Sequence, residues 1–339
     1  MNKKSNIEYW EKRQAQTYKK GERSIKDFHL GLIQSFEQAR KEIDQVVQDF
    51  IFKYSVNNNI TFAEAQKQLS KMELTSLKSF IQNALLSSDK LDIGNKSIKA
   101  RMSRYEALMA QIDAILTNLY NIEYEQKGKE ALKDIYDESY TRTWYNFDQY
   151  RGFHSEFAQV NIRDVEALIN YPFNGANYSD RIWKQKEHLI NSLKESITTS
   201  LVQGVNPHEL SKDFAKKFEV KKYEAYRLLQ TETSFIIEQG TLAAYKEDGI
   251  EKYKISATLD LRTSETCQHQ DGKIYNIKDY VTGKTAPPFH HFCRSTTVPI
   301  VDDDDYEGKR IARDKNGKNI EVPSSMKYDE WYRIYIENA

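Results

Sequence analysis

The first half of the chain repeats apolar residues at the three- and four-residue spacing of helices that bury one side. In the first such segment the repeating positions are Leu32, Phe36, Ala39, Ile43, Val46 and Phe50. A second segment starts at Thr61, and a third extends from Lys96 to about Tyr124. Residues 1–171 contain no proline, which would interrupt such helices. The pattern predicts roughly three to five long helices over residues 1–150.

Helical spacing resumes after an asparagine-rich loop and continues to Gly249. Ser179 is typical of a residue that caps a helix start, and Asn206 before a proline marks a second start. A third helical stretch covers residues 221–249. We therefore expect three helices in this part of the chain, the last two separated near residue 220.

The spacing changes after this helical part, where polar and apolar residues alternate as in a strand with one buried side. The alternation covers residues 252–263, and a second short strand is expected at residues 296–301. Asp-Gly at 271–272 and Asn-Gly at 316–317 are typical of hairpin turns. Residues 324–339 again have the spacing of an amphipathic helix.

These patterns predict a mainly α-helical fold. It has long N-terminal helices, a central helical domain and a small β-rich C-terminal segment of α+β character, which a zinc ion could hold together. The predicted domains are residues 1–165 with the long helices, residues 166–250 with the central helices, residues 251–300 with the β-rich Cys/His segment, and residues 301–339 with a hairpin and an amphipathic tail.

Composition and charge exclude several classes of protein. The 339 residues include 50 Lys and Arg and 50 Asp and Glu, so the formal charge is zero and no overall field favours nucleic acid or a membrane. No apolar run approaches the length of about 20 residues that a membrane span needs, and the first residues lack the apolar stretch of a signal peptide. The 12% aromatic content argues against disorder. We expect a folded protein that is made in the cytoplasm and has no membrane partner.

Five potential metal ligands lie within 27 residues of a chain that has only two cysteines and seven histidines. They are Cys267, His269, His290, His291 and Cys293. Close-spaced pairs on either side of a turn are the way in which zinc ribbons and knuckles gather their ligands. The predicted ligands of a closed structural zinc site are Cys267, His269, His290 and Cys293, with His291 as an alternative. The competing interpretation is that these are ordinary loop side chains, because the spacing matches no standard zinc finger.

Two enzymatic interpretations use the same part of the chain. The adjacent histidines with Asp260 or Asp271 could form a metal-dependent nuclease centre, and Cys293 beside His290 could form a nucleophile pair. The sequence supplies neither an oxyanion hole nor a second acidic cluster, so we expect no enzyme. The acidic run at residues 302–305 is expected to be a solvated turn and not a calcium site.

Short motifs occur in a fixed order between about Asn177 and Pro299. Their residues are Trp183, Thr231 and Glu232, Asp260 and Arg262, and the Pro-x-His-x-x-Cys-Arg sequence of Pro288, His290, Cys293 and Arg294. In order and spacing this stretch resembles the phage Mu F-like, or SPP1 gp7-like, family of head morphogenesis (minor capsid) proteins. Residues 1–165 carry no part of the resemblance.

The chain departs from this family pattern at three positions. Gln230 stands where arginine is usual before Thr-Glu, His291 where proline is usual after the signature histidine, and Ser295 where many members have a second cysteine. The last difference removes a ligand from any cysteine-based site. His269 or His291 could replace it.

The resemblance implies a structural component of a phage head, associated with the portal protein or with the major capsid or scaffolding protein. It implies a role in head assembly and in DNA packaging or ejection, first in the host bacterial cytoplasm and then in the virion head. Two other classes stay open, a metal-dependent nuclease or toxin-type enzyme and a non-specific DNA-binding protein that travels with the genome. The chain after Cys293 is too short for an added toxin domain, and its neutral charge predicts weak DNA binding.

Overall fold

Helices make up most of the chain that the computed structural model describes, which is residues 6–57, 96–152, 156, 158–203, 207–301, 309–323 and 325–337. The α-helices within these residues are α1 Asn6–Asn57, α2 Lys96–Asn118, α3 Lys127–Arg151, α4 Ile162–Ile169, α5 Tyr178–Gln203, α6 Pro207–Glu247, α7 Glu265–Gln270 and α8 Tyr328–Tyr332. The π-helical segment Leu119–Gln126 joins α2 to α3, and a second one, Arg333–Glu337, follows α8. Short 3₁₀ turns lie at Phe173–Gly175 and Ile277–Asp279.

Five short strands form two small antiparallel sheets. Strands β1 Lys252–Ser256, β2 Ile274–Asn276 and β3 Thr296–Ile300 form a sheet in the order β2–β1–β3, and β4 Lys309–Arg313 pairs with β5 Asn319–Pro323. The predicted fold class, mainly α with a small β-rich C-terminal segment, is confirmed. None of the described helices is long and apolar enough to cross a membrane.

The described chain divides into two compact units, each built from separated stretches. The first unit contains Met1–His29, Lys127–Ser179 and Tyr226–Ala339, and the second contains Leu30–Gln126 and Asp180–Ala225. Helices α1, α5 and α6 each contribute residues to both units. The four consecutive domains proposed from the sequence stay a prediction.

The apolar stripe predicted for α1 forms part of the core of the second unit. The buried stripe residues are Leu32, Phe36, Ala39 and Ile43. Beyond Ile43 the buried position is Val47 and not the predicted Val46, because a step of four residues keeps a side chain on the same face as well as a step of three. The ring of Phe36 meets the edges of Tyr120 and Phe218 at centroid distances of 5.8 and 6.3 Å.

Helix α6 is continuous, which corrects the prediction of two helices divided near residue 220. The sequence between Phe218 and Lys222 contains neither glycine nor proline, and the side chains of Phe218, Lys221, Lys222 and Ala225 are all buried. A buried side that continues without a helix breaker favours one helix. The predicted helix start at Asn206, the segment that begins at Thr61 and the acidic run at 302–305 lie outside the described residues.

In the first unit, α6 passes close to α3 at Gly240. A Cβ atom on this glycine would lie 2.5 Å from Ser139 Oγ and 2.9 Å from the carbonyl oxygen of Tyr136. Two helices can approach this closely only where one of them has no side chain. Glycine at position 240 therefore sets the distance between the two helices in the part of α6 that lies just beyond Thr231 and Glu232.

The C-terminal segment differs from the prediction after β1. The predicted strand at residues 252–263 ends at Ser256, and residues further along form helix α7. The Asp271–Gly272 turn therefore joins a helix to β2 and does not join two strands, although Gly272 does adopt the positive φ of 75° that favours glycine. The Asn316–Gly317 turn is confirmed as the hairpin between β4 and β5.

A buried ion pair joins β4 to the end of α7. The Nη1 atom of Arg310 lies 3.0 Å from Oδ2 of Asp271, and the two side chains are 4% and 0% exposed. The same guanidinium donates to the carbonyl oxygens of Met326 and Ala257, and Asp271 also accepts a hydrogen bond from the Ala257 amide at 2.9 Å. Every group of the pair is thus hydrogen bonded, as a buried charge requires.

Candidate metal centre

Cys267, His290 and Cys293, here called the Cys/His cluster, are held by α7 and by the loop that leads into β3. Ser264 caps α7 with a side chain that accepts a hydrogen bond from the amide of Cys267, which fixes Cys267 in the first turn of the helix. In the loop, the Cys293 amide donates to the carbonyl oxygen of His290 at 3.2 Å. This tight turn brings both of its side chains to the same place as Cys267.

The sulfur–sulfur distance within the cluster fits two ligands of a single tetrahedral ion. Cys267 Sγ lies 3.1 Å from His290 Nε2 and 3.7 Å from Cys293 Sγ, and the three potential ligand atoms lie within 4.8 Å of one another. Two sulfurs bound to one zinc at about 2.3 Å with tetrahedral angles lie about 3.8 Å apart. The two thiols are free, since a disulfide bond is only about 2.05 Å long. These three residues could hold a metal ion.

The imidazole of His290 is oriented for binding through Nε2. Its Nδ1 lies 2.7 Å from the carbonyl oxygen of His291, which can only accept a hydrogen bond. Nδ1 therefore carries a proton, and Nε2 faces the Cys267 sulfur at 3.1 Å and Ser264 Oγ at 2.7 Å, where its lone pair can bind a metal ion whenever Nε2 is not protonated. An outer carbonyl that fixes the tautomer in this way is typical of metal-binding histidines.

The electrostatics of the cluster favour one thiolate beside one imidazolium when no metal is bound. Hydrogen bonding to Cys293 and His290, with help from the hydroxyls of Ser264 and Ser295, lowers the pKa of Cys267 well below its usual range, although burial opposes this. The same contact with Cys267, together with burial, raises the pKa of Cys293. Hydrogen bonding to Cys267 raises the pKa of His290. A thiolate is the form of cysteine that binds metal ions.

His269, the fourth predicted ligand, does not belong to the cluster. Its side chain is exposed, whereas Cys267 is buried. Residues two apart on a helix point about 200° away from each other, so helix α7 directs His269 and Cys267 to opposite sides. The sequence shows that Cys267 and His269 are two residues apart but does not predict helix α7, which separates their side chains.

The alternative ligand His291 points to α6. Its Nδ1 lies 3.4 Å from Thr231 Oγ1, and that hydroxyl is also 3.5 Å from the amide of Phe292. One turn along α6, Ser234 Oγ donates to the carbonyl oxygen of Cys293 at 3.4 Å. The Thr-Glu motif of α6 therefore supports the loop that carries His290 and Cys293. Its second residue, Glu232, is buried in the same helix turn.

Asp260, Arg262 and Arg294, which the motif analysis singled out, form a second network. Arg294 donates two hydrogen bonds to the carboxylate of Asp260, at 2.6 and 2.7 Å. Arg262 contributes its backbone amide, 2.9 Å from Oδ1 of Asp260, while its side chain is exposed. Burial alone would raise the pKa of Asp260, but Arg294 outweighs burial and holds the pKa at about 2.

Both aspartates considered for a nuclease centre are paired with arginine. Asp260 is bound by Arg294 and Asp271 by Arg310, so neither joins the histidines. Among the described residues, the group of three or more Cys, His, Asp or Glu side chains with converging ligand atoms is the Cys/His cluster.

The remaining two motif residues, Pro288 and Trp183, lie outside the Cys/His cluster. Pro288 is buried and follows a cis peptide bond after Pro287, at the start of the loop that carries His290. Trp183 belongs to the second unit, where its Nε1 donates to Oε2 of Glu125 at 2.8 Å. Neither side chain belongs to the Cys/His cluster.

The sequence analysis did not identify two serines beside the cluster. Ser264 bonds His290 and caps α7, and Ser295 is buried with 1% of its surface exposed. Ser264 is a residue type that often caps a helix, but helix α7 is only six residues long and too short to show a helical period in the sequence. The only feature of the sequence that pointed to Ser295 was its departure from the family pattern, in which many members have a cysteine at this position.

Comparison with known proteins finds two relatives that match most of the chain. The chain is 24% identical over 302 residues to the minor head protein GP7 of Bacillus phage SPP1, which covers 84% of this chain and 96% of that protein. It is 26% identical over 286 residues to the NAD(+)–arginine ADP-ribosyltransferase EFV of Enterococcus faecalis, which covers 80% of this chain and 57% of that protein. The chain thus spans little more than half the length of the transferase.

Two further comparisons complete this result. An uncharacterized protein of Haemophilus influenzae is 24% identical over 121 residues, which cover 35% of this chain and 27% of that protein. No solved structure matches the chain significantly.

The family of Phage Mu protein F like proteins matches residues 191–298, which contain the Thr-Glu motif, the Asp260–Arg294 pair and the whole Cys/His cluster. Over these residues the chain is similar to the Phage Mu protein F like family, in the stretch where its sequence motifs indicate that resemblance.

Proposed function

We propose that this chain is a minor head protein of a tailed bacteriophage, with a structural and interaction role at the portal or the capsid interior. The observation that carries the proposal is the similarity to the SPP1 minor head protein over 96% of that protein's length. An overlap of nearly the whole relative supports a shared role of the whole chain, and not only of one domain. The role extends to head assembly and to DNA packaging or ejection.

The partners in this proposal are the portal protein and the major capsid or scaffolding protein, with genomic DNA as a weaker contact. The protein acts in the host bacterial cytoplasm during assembly and then in the virion head. Apolar side chains on the surface of α6 support a protein partner, because Val220 and Tyr223 are 56% and 58% exposed. Exposed apolar and aromatic residues are typical of contact sites between proteins.

The proposal is tested by following the full-length chain through phage growth. We expect mass spectrometry to detect it in purified procapsids and in mature heads, and cross-linking to join it to portal or capsid subunits. Deletion of its gene should lower the yield of infectious particles. Absence of the protein from both kinds of particle contradicts the proposal.

The similarity to an arginine ADP-ribosyltransferase favours an enzyme as the second candidate. We propose that the similarity reflects a shared head-protein region, since the match covers 57% of the transferase. The pairing of Asp260 and Asp271 with arginines supports a structural role for the described C-terminal segment. Release of nicotinamide from NAD by the purified chain would favour the enzyme instead.

We propose further that zinc is the ion of the Cys/His cluster and that its role is structural. Two thiolates and one imidazole are ligands that zinc prefers, and the 3.7 Å sulfur separation matches two ligands on one zinc ion. The ion would join α7 to the loop before β3, where the buried apolar neighbours are few, namely Ala257 and the half-buried Phe289. A metal ion can supply the order that so small a core cannot.

The zinc proposal predicts the metal content of the purified chain and of two variants. Under reducing conditions we expect about one zinc per chain by mass spectrometry, and loss of most of it in Cys293→Ser, because one of three ligands is removed. His269→Ala is the matched control and should keep its zinc, since His269 is exposed and outside the cluster. A zinc-free wild-type chain, or equal loss in both variants, contradicts the proposal.

A further inference from the structure

Cys267 and Cys293 are the only two cysteines among the 339 residues, and the fold brings them into contact. Their Sγ atoms lie 3.7 Å apart, although 26 positions separate them along the chain. At this distance no other atom fits between the two sulfurs. Both side chains are buried, at 2% and 5% exposure, and both are free thiols. Two free thiols in direct contact are the reactants of a disulfide bond.

The local structure allows the two sulfurs to approach each other. A disulfide bond is about 2.05 Å long, so the sulfurs need to approach by about 1.7 Å. Cys267 lies in the first turn of α7, whereas Cys293 lies in the loop before β3, outside any helix or strand. Rotation about the Cα–Cβ bond of Cys293 moves its sulfur over a distance of this size. The approach therefore requires neither a helix nor a sheet to move.

We propose that Cys267 and Cys293 form a redox-active pair, which a peroxide converts into a disulfide bond within the chain. This role goes beyond the structural one proposed above, because the same two sulfurs then respond to an oxidant. The observation that carries the inference is the sulfur contact of 3.7 Å, which does not depend on the identity of any metal ion.

The reaction consumes two thiols and one peroxide. One sulfur attacks an oxygen of hydrogen peroxide, so that an S–O bond forms, the O–O bond breaks and the second oxygen leaves as water with the thiol proton. The other sulfur attacks this sulfenic acid, an S–S bond forms, and the hydroxyl group leaves as water with the second thiol proton. Each sulfur gives up one electron, and the peroxide is reduced to two molecules of water. His290 is the half-buried member of the cluster, so a molecule as small as peroxide reaches the sulfurs from its side.

The disulfide bond and a metal ion exclude each other at this site. A sulfur in a disulfide has no thiolate to offer, so oxidation removes two of the three ligands of the Cys/His cluster. Both kinds of link join the same two segments, α7 and the loop before β3, which stay connected when the ion leaves. Oxidation therefore releases a bound ion while the C-terminal segment stays folded. This consequence rests on the zinc proposal, whereas the disulfide itself does not.

The test uses the purified full-length chain, stripped of metal with a chelator and fully reduced. After removal of the reductant, hydrogen peroxide is added in slight excess, remaining thiols are blocked in denaturant, and the chain is analysed by mass spectrometry. We expect a monomeric chain that has lost both thiols, a non-reduced digest in which the peptides of Cys267 and Cys293 are joined, and recovery of both thiols with dithiothreitol. Circular dichroism should show unchanged helix content.

Three variants check that the two sulfurs act together. Cys267→Ser and Cys293→Ser each keep one thiol, so peroxide should oxidise that sulfur alone or join two chains, and no linked monomer should form. His290→Ala keeps both sulfurs and removes one potential metal ligand, so it should still form the disulfide although it binds less zinc.

The zinc-loaded wild type separates this inference from the zinc proposal. We expect about one zinc ion to pass to a coloured chelator for each disulfide formed. A metal-free chain that keeps both thiols after peroxide, or whose sulfurs oxidise separately, overturns the redox pair and leaves the zinc proposal intact. A chain that forms the disulfide but binds no zinc overturns the zinc proposal alone.

Discussion

Arg310→Met is expected to lower the free energy of unfolding by about 3–5 kcal/mol, since it breaks a buried ion pair by removing one partner. Methionine replaces the apolar part of the arginine with little change in volume, so the loss is mainly electrostatic. The carboxylate of Asp271, which is 0% exposed, would be left without its counter-charge and with the Ala257 amide as its remaining donor among the described residues. The carbonyl oxygens of Met326 and Ala257 would lose their donor as well.

Urea unfolding followed by circular dichroism measures this effect. Arg313→Met is the matched control, because Arg313 lies on the same strand, is 44% exposed and reaches Asp260 only at 3.8 Å. It should change the free energy of unfolding by less than about 1 kcal/mol. Adding Asp271→Asn to Arg310→Met should restore part of the loss, because the unpaired charge disappears. Equal effects of Arg310→Met and Arg313→Met would contradict the prediction.

The helices could be predicted from the sequence because their signal is local and periodic. The α1 stripe from Leu32 to Ile43 needed only the spacing of apolar residues. The continuity of α6 was harder to predict, since the apparent boundary near residue 220 rested on a change in composition and not on a helix breaker. The exposed Val220 interrupts the apolar pattern there, but an exposed position on one face does not end a helix.

The candidate site could be predicted only in part, for a geometric reason. Clustering along the chain identified Cys267, His290 and Cys293, because rare residue types gathered in so short a segment tend to meet in space. Whether His269 joins them depends on the conformation of residues 265–270, which contain too few positions to show a helical period. In a strand-like pair His269 would lie beside Cys267, whereas in helix α7 it points away.

The Asp260–Arg294 pair shows a different limit of sequence reasoning. Both residues belong to the sequence motifs, but the sequence does not predict a contact between them because they are 34 positions apart. Only the folded chain shows that Arg294, the residue after Cys293, binds the carboxylate of Asp260 with two hydrogen bonds. The Asp260–Arg294 pair therefore supports the loop that carries the Cys/His cluster.

Glu238→Gln should change how the stability of the protein depends on pH. The carboxyl group of Glu238 is fully buried and lies 2.8 Å from Tyr18 Oη and 2.7 Å from the hydroxyl oxygens of Thr296 and Thr297. Burial raises its pKa from 4.5 to about 7, although these hydrogen bonds oppose the shift. The groups that favour its charged form are the hydroxyls of Thr296, Thr297 and Tyr18 and the Thr297 amide, which are neutral donors.

The sign of the effect follows from proton binding. Between the unfolded pKa of 4.5 and the folded pKa of about 7, the folded chain binds more protons than the unfolded chain at this position, so stability falls as pH rises. The contribution is fully present below pH 4.5 and is lost above pH 7. Between pH 5 and pH 8.5 the wild type should lose about 2–3 kcal/mol relative to Glu238→Gln. Tyr18 and Tyr245, whose pKa values are raised by burial, stay neutral throughout this range.

Urea unfolding at the two pH values, with the wild type and the variant side by side, isolates this group because all other titrations cancel in the difference. Glu321→Gln serves as the control for removing a surface carboxyl, since Glu321 is 67% exposed and forms an ion pair with the exposed Lys309. Parallel pH profiles for the wild type and Glu238→Gln would show that Glu238 does not titrate between pH 5 and 8.5. If the profiles separate as expected, α6 holds an acid that is neutral at pH 5 beside β3, and raising the pH loosens the contact between the Thr-Glu helix and the strand that follows the metal centre.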